Sequence, residues 1–577
     1  MIALPLMHIY MRYGIRRTSY FLYTRNIFHE MLSQTDLFYY LCQITKSHYK
    51  QVFNINCEPC LKKNSATNQN NKNIVFHSNK SHTDMKRHHI YLTLALATLL
   101  AGGARAQQRA ISLGDAIRIA QANSYDAKLA KFGFMSSYWS YRSFRAELLP
   151  SMSLTGRLLN FDHSRVEARN SEDGRINYVD NNSLNNALTL SLDQKIASLG
   201  GTISLQSYLY RLDQFNYDLT TYQSQPLRIS YTQPLKTYNE LKWRKKTEPK
   251  EYEKAKKVYL EDMEDVAINV TTLYFDAIAA QSDYAQSQSK YRDLEALYKI
   301  TEKRLNLGTT TKADLLQLEL SMLNTQVEVN NAKTKNDDAM YDLFSYLRVT
   351  DYAGVLLTAP ETVEDITPSA PEVIQKAMQN SSHAQTQDLL LLTAQQNLAK
   401  AKSEKGIQMQ LNAEVGFSRT ANNFTAAYRN LQDNEIVGVT VTLPIFDWGV
   451  KKGRVMMAKS NLDLALTKKE QADNDYIQKV KRSVMQFGAQ AEQCRTSTKA
   501  MEISRERYDI TKRRFETGAI SVTELNTAIQ ELETAKTQYI DQLKNYWTYY
   551  YTLRRYTLYD WAAHRDLTAD YDDIVKP

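Results

Sequence analysis

Three histidines follow residue 106 in this 577-residue chain, His163, His383 and His564, and none has a second ligand at metal-binding spacing. Cys57-Glu-Pro-Cys60 has the spacing of half a zinc or redox site, but no second pair accompanies it. Cys494 is the only cysteine after residue 106. Neighbouring acids such as Asp337 and Asp338 fall in a helical, solvated pattern, and no G-x-S-x-G, P-loop or G-x-G-x-x-G stands in a strand–helix context. No catalytic residue, metal site or cofactor is therefore expected.

A different chemistry is written twice. RLNLGTTTKADL (304–315) returns 210 positions later as RFETGAISVTEL (514–525), so Arg304, Gly308 and Asp314 answer to Arg514, Gly518 and Glu524. Each glycine suits a tight reversal that needs positive φ. Each arginine sits on the last turn before it, where a cation favours the exposed carbonyls, and each acid opens the returning helix, where an anion is favoured. End-capping alone explains both pairs.

These tips need long elements to carry them. No Gly or Pro occurs between Lys250 and Asn306, and apolar residues recur there at three- and four-residue intervals. A second helical run follows from Lys312 to about Leu347, and the later half repeats the pattern around Gly518. First arms of about 55–65 residues would be roughly 80–100 Å long and need coiled-coil partners along their length. At the same offset of 210, Thr232-Gln233-Pro234-Leu235 lies over Thr442-Leu443-Pro444-Ile445, which places strand-to-helix junctions at Pro234, Pro444 and Trp448. Before them Leu227, Ile229 and Tyr231, then Met409, Leu411, Ala413 and Val415, and then Val437, Val439 and Val441 alternate with mostly polar or small residues. That period of two fits membrane strands around a wet lumen or an ordinary amphipathic sheet.

The N-terminal parts of the halves match at an offset of 257, as in Ile117, Ala120 and Asn123 against Ile374, Ala377 and Asn380. The first half therefore carries about 47 extra residues, which read as an added β-hairpin turning at Leu199-Gly200-Gly201. It either caps the outer mouth of a barrel or adds strands to the wall. Trp243 and Trp448 suit an interfacial aromatic belt or packing at the junction.

MKRHHIYLTLALATLLAGGARAQQ begins at Met85 with a basic n-region, an apolar core and an A-x-A site ending at Ala106. Residues 85–106 are expected to be a signal peptide, and 1–84 an over-extended leader outside the mature protein. Of the 72 Lys+Arg and 63 Asp+Glu, residues 1–106 hold 13 and 4, leaving 59 of each sign. The net charge of +9 thus belongs to residues 1–106, and nucleic acid is not an expected partner. The expected organisation is a first repeat over 107–350, with extra hairpin about 160–226 and tip at 308, then a linker over 351–371. A second repeat follows over 372–560, with strands about 409–443 and tip at 518, and then a tail over 561–577.

SLGDAIRIAQANS (112–124), LLPSMSLTG (148–156), VTLPIFDWGVKKGR (441–454) and the paired R-x-x-x-G tips together resemble the TolC-like outer-membrane efflux channel family over essentially all of 107–577. The resemblance implies a mainly α fold with a membrane β-barrel, built from two in-register repeats of helix, strands and long helical hairpin. It implies a homotrimer in which each chain gives four strands to a 12-stranded barrel standing on a coiled-coil α-barrel. The segment 351–371 and the tail would girdle the tunnel. The implied function is a passive duct in the outer membrane of a Gram-negative bacterium, embedded in outer-membrane lipid with a periplasmic extension. It would be served by an inner-membrane pump and by a periplasmic adaptor docking at the tips, Arg304, Gly308, Arg514 and Gly518, and Asp314 with Glu524 would form an acidic constriction favouring cations. Thr527 and Ile520 stand where some members carry a further acid and a basic residue, so the gating links of those members do not transfer. The competing reading is a periplasmic coiled-coil adaptor or scaffold, which would show one hairpin rather than two in register.

Overall fold

The computed structural model describes residues 110–169, 174, 176–360 and 366–576. The leader, the signal-peptide segment and part of the 351–371 linker lie outside them.

Short helices open the first half: α1, Leu113–Asn123, and α2, Tyr125–Glu147. Ser112 caps α1 through a capping box with Asp115, and Ser124 breaks the chain and caps α2 by accepting from the Ala127 amide. Four strands follow, β1 (Ser151–Arg169), β2 (Ile176–Ile196), β3 (Gly201–Gln214) and β4 (Leu219–Pro234). The long hairpin is α3, Glu240–Asn306, and α4, Lys312–Leu347. The second half gives α5, Ala370–Asn380, α6, His383–Lys405, β5, Gln408–Ala421, and β6, Gln432–Thr442. It closes with a second long hairpin, α7, Val450–Glu516, and α8, Val522–Thr557.

The helices of the two halves agree one for one. The paired short helices have 11 and 23 residues in both, and the hairpin arms 67 and 36 in both. A 67-residue arm is about 100 Å long. α3 begins ten residues before the Pro-free run and includes Pro249, which forgoes one backbone hydrogen bond near the helix start.

The strands form one antiparallel sheet in the order β1-β2-β3-β4-β5-β6. Four strands per chain were expected; the sheet has six, because the insertion lies in register between β1 and β4. The physical reason is that both flanks of the added hairpin find a full ladder, β2 against β1 and β3 against β4. Beyond Ser183, where β3 ends its pairing, β1 and β2 run on as a two-stranded ribbon from His163–Asn182 to Arg169–Ile176.

Helices pack by the same logic in each half. α1 lays Leu113, Ala116, Ile117 and Ala120 against Val266, Val270 and Tyr274 of α3 and Phe344 and Leu347 of α4. α5 lays Val373 and Ala377 against Val480 and Phe487 of α7 and Tyr546, Tyr550 and Leu553 of α8. Tyr274 is fully buried, with its hydroxyl 2.7 Å from Ile111 O and 2.8 Å from Thr358 O. It thereby ties down the parallel strand pair Ala110–Ser112 and Leu356–Thr358 beside the helices. The first and second halves meet where α8 runs along α3. There Glu264, 4% exposed, receives Arg554 Nε and Nη2 at 3.0 Å each, and Arg554 Nη1 reaches Asp560 at 3.0 Å.

Candidate functional site at the hairpin tips and the strand–helix junction

Both tips close in the same way. After Asn306 the chain takes positive φ at Gly308 (+73°), and after Glu516 at Gly518 (+82°). The amides of Thr309 and Ala519 donate back to the carbonyls of Arg304 and Arg514 at 3.0 Å, while Gly308 and Gly518 donate to Leu305 and Phe515 at 2.9 Å. This is a Schellman closure, which fixes why the glycines stand where they do. The arginines serve it through backbone carbonyls that any residue supplies, so their side chains are free for other work. Arg304 uses its own: the guanidinium lies directly against Gly518, where a Cβ would collide with it. The first tip thus covers the turn of the second. Arg514 is exposed.

The two acids differ. Thr311 caps α4, and Asp314 completes a capping box, accepting from Thr311 N at 3.2 Å and Thr311 Oγ1 at 2.6 Å, with Thr310 Oγ1 at 3.2 Å. The hydroxyl and amide of Thr311 hold the Asp314 carboxyl below the usual carboxylate range. At the other tip Ser521 caps α8 by accepting from the Glu524 amide at 3.3 Å, and Glu524 is exposed. Asp314 is therefore engaged in capping, and Glu524 presents its carboxylate to solvent.

Under the tips one apolar cluster joins the hairpins: Leu294 and Leu297 of α3, Leu318 of α4, Phe515 of α7, and Val522, Leu525 and Ile529 of α8, with Ile520 against it. Above it Asp293 links α3 to α7, accepting from Tyr508 Oη and from Lys512 Nζ at 2.7 Å each. Burial and the adjacent Asp293 carboxylate push the Tyr508 hydroxyl well above its ordinary range, keeping it a neutral donor. Sequence reading missed this link. The signal available was a break in the repeat, since Asp293 stands opposite Ile503 while Tyr298 and Tyr508 match.

At the junctions Pro234 ends β4, and the next amide, Leu235, donates to Met409 O at 2.8 Å. Pro444 lies between β6 and α7. There Trp448 and Gly449 both take positive φ, and Asp447, also missed from sequence, accepts from the Gly449 and Lys451 amides at 3.0 Å. Trp448 stacks edge-on to Phe446 at 4.5 Å and is 89% exposed in the single chain. Asn239 caps α3 and also donates to Ala197 O at 3.0 Å, tying the β2–β3 turn to the helix end. Glu147 joins the same spot through Lys195 at 2.7 Å and Arg244 at 2.6 Å.

His383 contacts Asp473 at 2.8 Å and stacks on Tyr476, and Cys494 is buried, its thiol pushed up by burial. Among the described residues no group of acids, His and Cys is arranged to hold a metal ion, and no helix is long and apolar enough to cross a membrane.

Residues 373–557 match the family model described as outer membrane efflux protein. No curated protein sequence matches the chain. Among solved structures, the Campylobacter jejuni CmeC outer membrane channel is similar at 14% identity and TM-score 0.55, over 80% of this chain and 88% of that one. The Vibrio cholerae outer membrane protein VceC is similar at 12% identity and TM-score 0.53, over 77% and 95%. The open-state Neisseria gonorrhoeae MtrE outer membrane channel is similar at 14% identity and TM-score 0.52, over 79% and 91%. At these identities the likeness is one of fold.

Proposed function

We propose that the chain is a member of the outer membrane efflux protein family, whose model matches residues 373–557, and that it is the passive exit duct of one tripartite efflux or secretion assembly. As in that family, it is a trimeric channel of the Gram-negative outer membrane with a helical periplasmic extension. The observation that carries the reading is the doubling itself. Two in-register hairpins with arms of 67 and 36 residues spring from one sheet with a mostly apolar face and a mostly polar one. Such a sheet is suited to facing lipid outside and water inside, and such hairpins to lining a tunnel below it. An adaptor or scaffold needs neither the second hairpin nor the amphipathic sheet.

Within this reading the tips are the docking end. Arg514 and the Arg304–Gly518 contact would meet a periplasmic adaptor, and through it an inner-membrane pump that supplies the energy. The exposed Glu524 would form the acidic ring of the mouth, three copies converging around the axis and favouring cations. Asp314 supports that ring by fixing the start of α4. Fractionation tests the function: the protein is expected in outer membranes and released by detergent only. Recovery as a soluble periplasmic protein would favour the scaffold.

A further inference from the structure

Among the described residues nothing pairs the two outer edges of the sheet, β1 and β6. We propose that the added strands β2 and β3 are permanent members of the membrane wall. Three copies would then close an 18-stranded barrel, with β6 of one copy laddered to β1 of the next. The proposal rests on the trimeric duct reading and departs from the 12 strands implied by the family resemblance.

Four observations carry it. First, β1 and β4 share no ladder; each pairs with an inserted strand, so expelling the insert would break both ladders and leave the sheet in two pieces. Second, the insert keeps the sheet's two faces. Met152, Leu192, Leu205, Ile229 and Val415 stand side by side across five strands, all exposed in the single chain. On the opposite face Ser153, Ser191, Gln206, Arg228 and Gly416 form the neighbouring row, where Arg228 pairs with Glu414 at 3.3 Å. A cap standing in water would have no reason to carry Leu188, Leu190 and Leu192 on one side only.

Third, the β2–β3 turn lies at the helix end of the sheet, not at the far mouth. Asn239 holds Ala197 O, Gln233 Nε2 holds Leu199 O at 2.8 Å, and Lys195 reaches Glu147 at the end of α2. Gly201 sits so close to Gln233 that a Cβ there would overlap the amide oxygen. Fourth, six is an even number. The strands alternate in direction, so β1 and β6 run opposite ways and copies can join edge to edge in a fully antiparallel wall.

The occupant of each edge is therefore a second copy of this chain. The exposed apolar residues at the ends of the edge strands agree with this: Leu149 just before β1, and Ile445, Phe446 and Trp448 just after β6. Barrel diameter grows about linearly with strand number, so 18 strands make a bore about 1.5-fold wider than 12, and about 2.3-fold larger in area. A wall of that size leaves an open aqueous channel, and selection by size then falls to the helical tips.

Imaging the full trimer in lipid nanodiscs, at a resolution that separates strands about 4.8 Å apart, tests this. Eighteen strands are expected. Twelve, with the β2–β3 hairpin outside the wall, would overturn the inference and leave the duct intact, whereas a particle with no three-fold barrel would overturn the duct reading itself. A second measurement uses Cys494→Ser protein in outer-membrane vesicles. Ser204→Cys, on the polar face of β3, is expected to react with a water-soluble maleimide through the lumen and the neighbouring Leu205→Cys to be shielded by lipid. Equal, fast labelling of both would place the hairpin in water and refute the wall assignment.

Discussion

Arg554→Leu is the sharpest test of how the two halves are joined. The guanidinium gives two hydrogen bonds to Glu264 on α3 and one to Asp560, from a position near the end of α8. Burial disfavours its charge, but Glu264 and Asp560 outweigh that and hold it above its ordinary range. Burial likewise pushes the Glu264 carboxyl up, while Arg554 pulls it back. Removing Arg554 strands a carboxylate that is 4% exposed, with a cost of about 3–5 kcal/mol. At about 2.1 cal/mol/K of unfolding entropy per residue, the roughly 470 residues from 107 onward give about 1 kcal/mol/K. The midpoint should therefore fall by about 3–5 °C. Thermal denaturation of the detergent-extracted protein, followed by circular dichroism, reads it. Glu264→Leu with Arg554→Leu removes both buried charges and should recover most of the loss, because the penalty is that of an unpaired ion. A single variant that melts with the parent, or a double variant no better than the single, would refute the reasoning.

Other outcomes follow from the tips and the helical joint. Gly308→Ala and Gly518→Ala each force a side chain into positive φ, costing about 1 kcal/mol, but only Gly518→Ala also displaces Arg304. Limited proteolysis should cut the Gly518→Ala tip faster, and adding Arg304→Ala should bring it back to the Gly308→Ala rate. The Asp262 carboxyl is pushed up to about 6 by burial and then by Asp265 and Glu261. An unfolded Asp titrates near 4, so the folded chain binds this proton more tightly and loses stability as pH rises from about 4 to about 6. Asp262→Asn should thus melt higher than the parent above about pH 6, with the gap closing toward pH 4; a gap constant with pH would contradict the shift. Glu524→Gln should weaken cation selectivity in planar bilayers without changing the melting temperature. Asp314→Ala should cost about 1 kcal/mol of stability through its lost capping box. The reverse ranking would reassign the two acids.

Much of the fold could be read from the sequence because its signals are local and doubled. Apolar residues at helical spacing, the glycines at 308 and 518 and the acid-opened return helices mark the hairpins, and the equal arm lengths follow from an offset that needs no gap. The alternating runs marked strands and faces. Their neighbours could not be read, because alternation states which side is apolar and says nothing of which strand supplies the next ladder; the insert therefore stayed open between cap and wall. The contacts between halves were hidden for a related reason. Glu264 and Arg554 stand opposite Asn474 and Phe344 in the repeat, and Asp293 opposite Ile503. A residue that breaks the repeat is where one half meets the other, and that becomes visible only once the helices are side by side. At the tips the sequence marked the arginines for their charge. The structure uses their carbonyls in the turn and, for Arg304, the side chain against the other hairpin.

The central claim, a trimeric duct, is tested most directly by negative-stain imaging of protein expressed from Met85 and extracted from membranes in detergent. The expected particle is three-fold, with a short barrel set on a helical tube about 100 Å long, the length of the 67-residue arms. A soluble monomer, or a filament with no barrel, would contradict it.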